Sequence, residues 1–466
     1  MSLPSPTCSV PGDREQNTAF EIISDEDSVP SLIHRKNDSP QASFPTYRAM
    51  AVLAFALLFA YLSVPLVLSV AASQRLQPPA GFQVARDQTP SPRPSSEAAK
   101  LESLAIEGNE ALYNLDYGKA RKAFEEMTRL APDQPAGYVY LANNLWLEKL
   151  NSSRRLSSSL YSSASFYSKT EEKYDLNHDK QFNALIEKAI NVAESRLKND
   201  PKDATSLYYK GAAVGIRAAY KVTVRRSFRA ALGDANESIR IQKKVALKAD
   251  YDDANLSIGF YEYAVDSLPF LLRAIARVVG ITGSKKEGIK LLKTVVERGR
   301  HASDDARVLL IGIYARERRF EEALELITYL SGKYPRNYLF GIERATMLYR
   351  LNRFDEGALA FGNLIKDADI ASVATDVVNY QYGEALVEAR NYASAIDRYK
   401  TVVDWPKSDR SLVTLAHLHA GKALDALGNH AGATREYKLV LKDKNVYDSH
   451  GLARKYQEKP FIPDKK

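Results

Sequence analysis

The sequence predicts an all-α fold: a right-handed α-solenoid of about eight helix pairs, preceded by a disordered N-terminal tail and a single transmembrane helix. Three observations carry that prediction. A phrase of small, aromatic and proline residues returns along Leu101–Leu441 with a bare period of 34. Prolines recur where second helices would end. One stretch, Ala49–Ala72, runs 24 residues without a charge.

Residues 1–48 are rich in Ser, Pro, Asp and Glu, with Asp25-Glu26-Asp27 and little apolar periodicity, which predicts a disordered tail. Ala49–Ala72 is long enough for a membrane-spanning helix, since roughly 20 apolar residues suffice. Arg48 and Arg75 bracket it, and Pro65 kinks such a helix without forbidding it. Arg35, Lys36 and Arg48 precede the span while Arg75, Arg86 and Arg93 follow it. The orientation expected is a signal-anchor, with the large domain on the extracytoplasmic side of a bacterial inner membrane. The alternative is a start at Met50 with cleavage near Val70-Ala71-Ala72, giving a secreted or periplasmic protein. Residues 73–97, with Pro78, Pro79, Pro90, Pro92 and Pro94, predict an extended linker.

The solenoid is expected over residues 98–445, followed by a polar tail at 446–466. Its clearest phrase is Gly108, Tyr117, Ala120, Phe124, Pro132; a second is Tyr314, Phe320, Ala323, Ile327, Pro335. Phe354, Gly357 and Phe361 repeat Phe320, Ala323 and Ile327 after 34 residues. Aligned on the first small position, the copies start at Gly108, Ala142, Gly211, Gly259, Ile311, Ala345, Gly383 and Gly421. Small residues at Gly108, Ala120, Gly383, Ala395, Gly421 and Ala433 let two helices of a hairpin approach closely. Phe124, Phe361, Tyr399 and Tyr437 lie one turn after the second small residue, placed to fill the gap toward the next pair. Tyr117, Phe320, Phe354 and Tyr392 mark the turn inside each pair. Pro132, Pro201 and Pro335 stop second helices because the residue before proline is driven out of helical space.

Three insertions interrupt the period. The first, near 151–180, is Ser-rich and reads as a surface loop. The second, near 217–233, gathers Arg217, Lys221, Arg225, Arg226 and Arg229. Arg217, Lys221 and Arg225 fall on one helical face, a stripe for an anionic partner or a merely solvated basic face. The third, near 267–285, reads SLPFLLRAIARVVGITGSK, too short to span a bilayer as a helix. It is expected to pack on the solenoid's flank, the alternative being a membrane-surface or lipid-handling role shared with the basic stripe.

These repeats resemble the tetratricopeptide repeat, a helix–turn–helix unit that stacks into a solenoid. A narrower resemblance rests on Tyr208-Tyr209-Lys210-Gly211, Gly259-Phe260-Tyr261, Ser267-Leu268-Pro269, Gly280, Gly283 and Gly288. Over about Asp203–Pro335 this is similar to the tetratricopeptide-repeat-39/Iml2-like family and its bacterial relatives. Gly283-Ser284-Lys285 departs from it, lacking an acidic residue after the glycine. The resemblance implies an adaptor-like protein that holds a protein or peptide along the inner face of its first helices. The groove positions it implies are Asn109, Tyr113, Asn143, Trp146, Tyr208, Phe260, Tyr263, Tyr349 and Tyr380. A chaperone-type carboxylate clamp is not expected, because its positions fall on Ala105, Asn109, Thr205 and Tyr209.

Composition fits a non-catalytic scaffold. Acids (57) nearly balance bases (65), unlike a nucleic-acid-binding surface, and the single cysteine, Cys8, excludes an intrachain disulfide. His417 and His419 sit two apart on different helical faces, so they do not form a metal pair. Asp250, Asp252 and Asp253 lack the glycine and glutamate of a calcium loop. No phosphate loop or nucleophile elbow occurs. The expectation is a membrane-anchored scaffold with no enzyme activity, cofactor, metal or nucleic-acid ligand.

Overall fold

Each aromatic expected at an inter-helix turn opens a helix. The structure, a computed structural model, describes residues 96–156, 174–248, 251–268, 270, 273–274, 277 and 280–463. The chain divides into Met1–Phe44 and Pro45–Lys466, and every described residue belongs to the second unit.

Seventeen α-helices are described, sixteen of them in pairs. The first pairs are α1 Ser96–Tyr113 with α2 Tyr117–Leu130, and α3 Ala136–Ser152 with α4 Leu176–Asn199. Next come α5 Ala204–Thr223 with α6 Phe228–Ala246, and α7 Asn255–Asp266 with α8 Lys285–Arg298. Then follow α9 Ser303–Arg316 with α10 Phe320–Lys333, and α11 Tyr338–Arg350 with α12 Phe354–Lys366. The last are α13 Ala368–Glu388 with α14 Tyr392–Asp404, and α15 Arg410–Ala426 with α16 His430–Val440, closed by α17 Ser449–Glu458. Helices α2, α4 and α10 end two residues before Pro132, Pro201 and Pro335, as the proline rule requires. These consecutive antiparallel pairs make the chain a tetratricopeptide-type solenoid.

The turn geometry repeats more faithfully than the sequence. Leu115, Arg318, Asn352, Arg390 and Gly428 all take left-handed backbone, each two residues before the second helix begins. Next to that residue Asp116, Asn391 and Asn429 cap α2, α14 and α16 by accepting from the N–H of Lys119, Ser394 and Gly432. Where insertions erase the pattern, Arg154 after α3 and Arg226 after α5 keep the same conformation. A left-handed non-glycine residue costs roughly 1–2 kcal/mol, so tertiary contacts must hold these two arginines there.

Packing inside a pair follows the small-residue rule. A methyl on Gly383 would meet the Tyr399 ring at 2.6 Å, and one on Gly288 would meet the Tyr263 backbone nitrogen at 2.6 Å. The ring after the second small residue therefore sits on the glycine of its own pair, a refinement of the expected gap-filling role. It reaches the next pair too: Phe124 stacks on Tyr140 at 5.1 Å and Phe361 on Tyr382 at 4.5 Å.

First and second helices differ in kind. Second helices such as α8 bury one stripe, Gly288, Leu292 and Val295, and turn charged residues outward. First helices such as α5 are buried nearly all round, from Tyr208 and Tyr209 through Ala212, Val214, Ile216, Ala219 and Val222. An element apolar on every side has neighbours on every side, so the inner face of the stack is occupied by the chain itself.

The membrane anchor is corrected. Among the described residues no helix is long and apolar enough to cross a membrane, and Ala49–Ala72 lies outside them. The single transmembrane helix, and the single-pass inner-membrane localisation drawn from it, therefore have no support in the fold: its apolar helices are buried against one another. The third insertion is described only in part. Leu268 is buried beside Val265, Phe270 is 73% exposed, and Arg273 binds the Asp266 carboxylate at 2.9 Å. The first insertion is described up to Leu156 and again from Tyr174.

Candidate functional site

The nine groove positions all fall on first helices, and the structure turns every one of them inward. Trp146 on α3 is fully buried and donates its indole N–H to Thr223 Oγ1 at 2.8 Å. Tyr113 on α1 donates to Asp305 on α9 and stacks on Tyr334 at 4.7 Å. Tyr208 meets Tyr209 edge-on, and Tyr263 donates to Glu317 at 2.7 Å beneath the Lys285 ammonium. Tyr349 contacts Phe354, Phe361 and Tyr382; Tyr380 contacts Tyr399 and His419. Phe260, Asn109 and Asn143 are equally buried. Asn109 donates to its own helix at Ala105 O, 2.8 Å, leaving its carbonyl oxygen without a partner. Eight of the nine residues are thus buried in the interior layer, and Tyr113 is partly buried at its edge.

Contacts between distant repeats explain this. The turn after α1 meets the start of α11: Asn337 Nδ2 donates to Tyr113 O at 2.6 Å, and the Arg336 N–H to Asn114 Oδ1 at 3.3 Å. The turn after α3 meets α11 and α13. Tyr338 donates to Asn151 Oδ1 at 2.7 Å. Arg154 grips Asp376 through Nε at 3.0 Å and Nη2 at 2.9 Å, and donates to Val373 O at 2.6 Å. The turn after α5 meets the C-terminal segment, with the Arg226 guanidinium 5.5 Å from the Tyr447 ring. Pair one therefore touches pair six, pair two touches pair seven, and pair three touches the residues before α17. About five pairs complete a turn, and the second turn seats on the first. The left-handed arginines 154 and 226 are thereby explained: their conformation aims each side chain across the seam.

Electrostatics within the layer favour neutral groups. Burial pushes the Asp305 carboxyl up to about 8, opposed by the Tyr113 hydrogen bond and reinforced by Asp304 and Asp253. Asp305 Oδ2 has no hydrogen-bond partner among the described residues. Burial likewise drives the Tyr113, Tyr140 and Tyr208 hydroxyls well above their usual range. Asp253 accepts backbone N–H bonds from Arg300, His301 and Ala302 at 3.1, 2.9 and 2.8 Å, which orders the entry to α9. Asp304 is held by Tyr334, Lys333 and Arg307 at 2.6, 2.6 and 2.8 Å. Such groups hydrogen-bond and pack; none faces solvent as a free nucleophile or base. Among the described residues no cluster of three or more His, Cys, Asp or Glu could hold a metal ion.

The basic stripe expected to meet an anionic partner has acidic neighbours within the fold. Arg217 makes a fork to Asp234 at 3.0 and 3.1 Å and pairs with Glu187 at 3.0 Å. Lys221 shares Asp234 at 2.6 Å, Arg225 pairs with Asp179, and Arg226 lies over Tyr447. The Arg229 side chain lies outside the described residues. Spacing put three cations on one face correctly, but it carried no information about the carboxylates that neutralise them. His417 and His419, two apart on different helical faces, bind Glu436 and Glu384 at 2.7 and 2.5 Å.

Sequence reasoning missed Asp305 and Arg154, and weighed Asp253 only against a calcium loop. Their partners lie up to 222 residues away, beyond any local pattern.

No family model matches the chain, so the narrower Iml2-like resemblance is not confirmed, and no curated protein matches it. Among solved structures it is similar to a tetratricopeptide repeat protein from Parabacteroides merdae, at 13% identity and a TM-score of 0.29, covering 68% of this chain and 99% of that one. It is also similar to a human IFIT1 dimer with m7Gppp-AAAA, at 13% identity and a TM-score of 0.40, covering 90% of this chain and 89% of that one. Both likenesses concern the succession of helices; the repeat class itself follows from the helix pairs and turns of this chain.

Proposed function

We propose that this chain is a non-catalytic protein-interaction scaffold whose partner is held on the outer helices, while the inner layer serves to hold two turns of the solenoid together. The observation that carries this reading is the burial of eight of the nine inner positions, with Tyr113 partly buried against the same core. A peptide seated on them would first have to part contacts such as Arg154–Asp376 and Tyr113–Asp305. The outer helices need no such rearrangement, and rigid presentation of a preformed surface lowers the ordering cost of binding.

Proximity labelling with the full chain tests this. Tyr208→Phe and Tyr113→Phe remove inner hydroxyls without removing rings, and are expected to leave the labelled partners unchanged. Loss of those partners in a Tyr208→Phe protein of unaltered melting temperature would overturn the outer-face reading and return the inner face to the role of groove.

A further inference from the structure

The outer faces of α6 and α8, with the turn after α8, concentrate positive charge. On other second helices several cations meet acids a turn away: Arg129 with Glu126 on α2, and the capping Arg319 and Arg353 with Glu322 and Glu356 on α10 and α12. On α8 Lys290 does the same with Glu287 at 3.3 Å, but most exposed cations of α6 and α8 do not. Arg240, Lys244, Lys286, Lys293, Arg298 and Arg300 are all exposed. Arg240 reaches only Glu237, at 4.0 Å, and the other five make no ion pair with a described residue. The two helices share α7 as a floor. Lys243 of α6 lies 5.4 Å from the Tyr261 ring and 3.8 Å from Glu262, while Gly288 of α8 packs on Gly259.

We propose that this basic face is the docking surface for an acidic segment of a protein partner. The inference rests on the scaffold reading and names the chemistry of its ligand. Charge complementarity is the first argument: exposed cations on two rigid helices that pack on the same α7 attract and orient an oppositely charged segment. The second distinguishes a peptide from a nucleic acid. Glu237, Glu287 and Glu297 interrupt the cations, which breaks a continuous phosphate track, and the neighbouring Tyr261 ring is covered by Lys243 and is not offered for base stacking. The third is Leu247, 88% exposed at the end of the α6 stripe, an apolar foothold that a peptide side chain can cover and a phosphate backbone cannot.

The test is fluorescence anisotropy on the full chain with a labelled oligo-glutamate peptide carrying one leucine, against an oligouridylate of equal charge. Wild type is expected to bind the peptide, and Lys244→Glu/Lys293→Glu to weaken it by about tenfold or more. A control with the same net charge, Lys122→Glu/Lys438→Glu, is expected to weaken it less than about twofold. Equal weakening by both variants would reduce the effect to diffuse electrostatics and overturn the proposal. So would absent peptide binding, or tighter binding of the oligouridylate through the same two lysines. None of these outcomes touches the scaffold reading, which stands or falls on the inner-face substitutions and their labelled partners.

Discussion

Replacing Arg154 with alanine should separate the two turns of the solenoid. The side chain is 14% exposed and its partner Asp376 fully buried, joined by two N–H···O contacts at 3.0 and 2.9 Å. Removing one member of a buried ion pair costs about 3–5 kcal/mol, because the other charge stays behind without its partner. Asp376 keeps the N–H of Asp409 at 3.1 Å, which places the expected loss at the lower end, about 3 kcal/mol. That is roughly two orders of magnitude in the equilibrium between seated and parted turns. Urea unfolding of the full chain, followed by circular dichroism, reads the effect. Wild type should unfold the repeats of both turns together, whereas Arg154→Ala should release one group at lower urea, since solenoid repeats otherwise couple only to neighbours. Arg154→Lys, which keeps the charge but loses the fork, should fall between them. A change under about 0.5 kcal/mol, or strict additivity with Asp376→Asn in a double-mutant cycle, would refute the reasoning.

The remaining predictions concern the layer and the pairs. Asp305 has a folded-state pKa of about 8 against about 3.9 unfolded, so the folded state binds more protons between those values and stability falls as pH rises through them. Asp305→Asn removes that loss: its gain over wild type should be near zero at pH 4 and grow by up to about 1.4 kcal/mol per pH unit toward pH 8, measured by urea titrations, and a pH-independent gap would contradict the assignment. Gly288→Ala should cost more than Gly383→Ala, both within about 1–3 kcal/mol or somewhat above, because the first meets backbone and the second a ring that can tilt; equal melting temperatures would count against the packing account. Arg318→Gly, at an exposed left-handed turn residue, should raise stability by about 0.5–1 kcal/mol, and a drop in melting temperature would show that the side chain is needed there.

The repeats were legible because their determinants are local. Gly383 and Tyr399 lie sixteen residues apart within one pair, and the spacing of small and aromatic residues states their contact directly. Pro132 and Pro335 fixed helix ends for the same reason. What the pattern cannot express is how many pairs complete a turn. That number depends on small rotations summed over five pairs, and it decides whether Tyr113 and Trp146 face a groove or another repeat. The carboxylates beside the basic stripe were hidden in the same way, since Asp234 and Asp179 reach it from neighbouring helices. Only the left-handed Arg154 and Arg226 hold a hint, and that conformation is visible in the fold and not in the residue type.

The seating of one turn on the other is tested most directly by a distance across the seam. Spin labels at Glu110→Cys and Arg336→Cys, in a full chain whose Cys8 is replaced by serine, probe the junction of α1 with α11. Asn114, one helical turn beyond Glu110, accepts the Arg336 N–H at 3.3 Å. A single narrow distance under about 20 Å is expected, given 1.5 Å of rise per residue along α1. An open stack of five pairs, each advancing about 8–10 Å, would instead give a distribution near 40–50 Å and contradict the account.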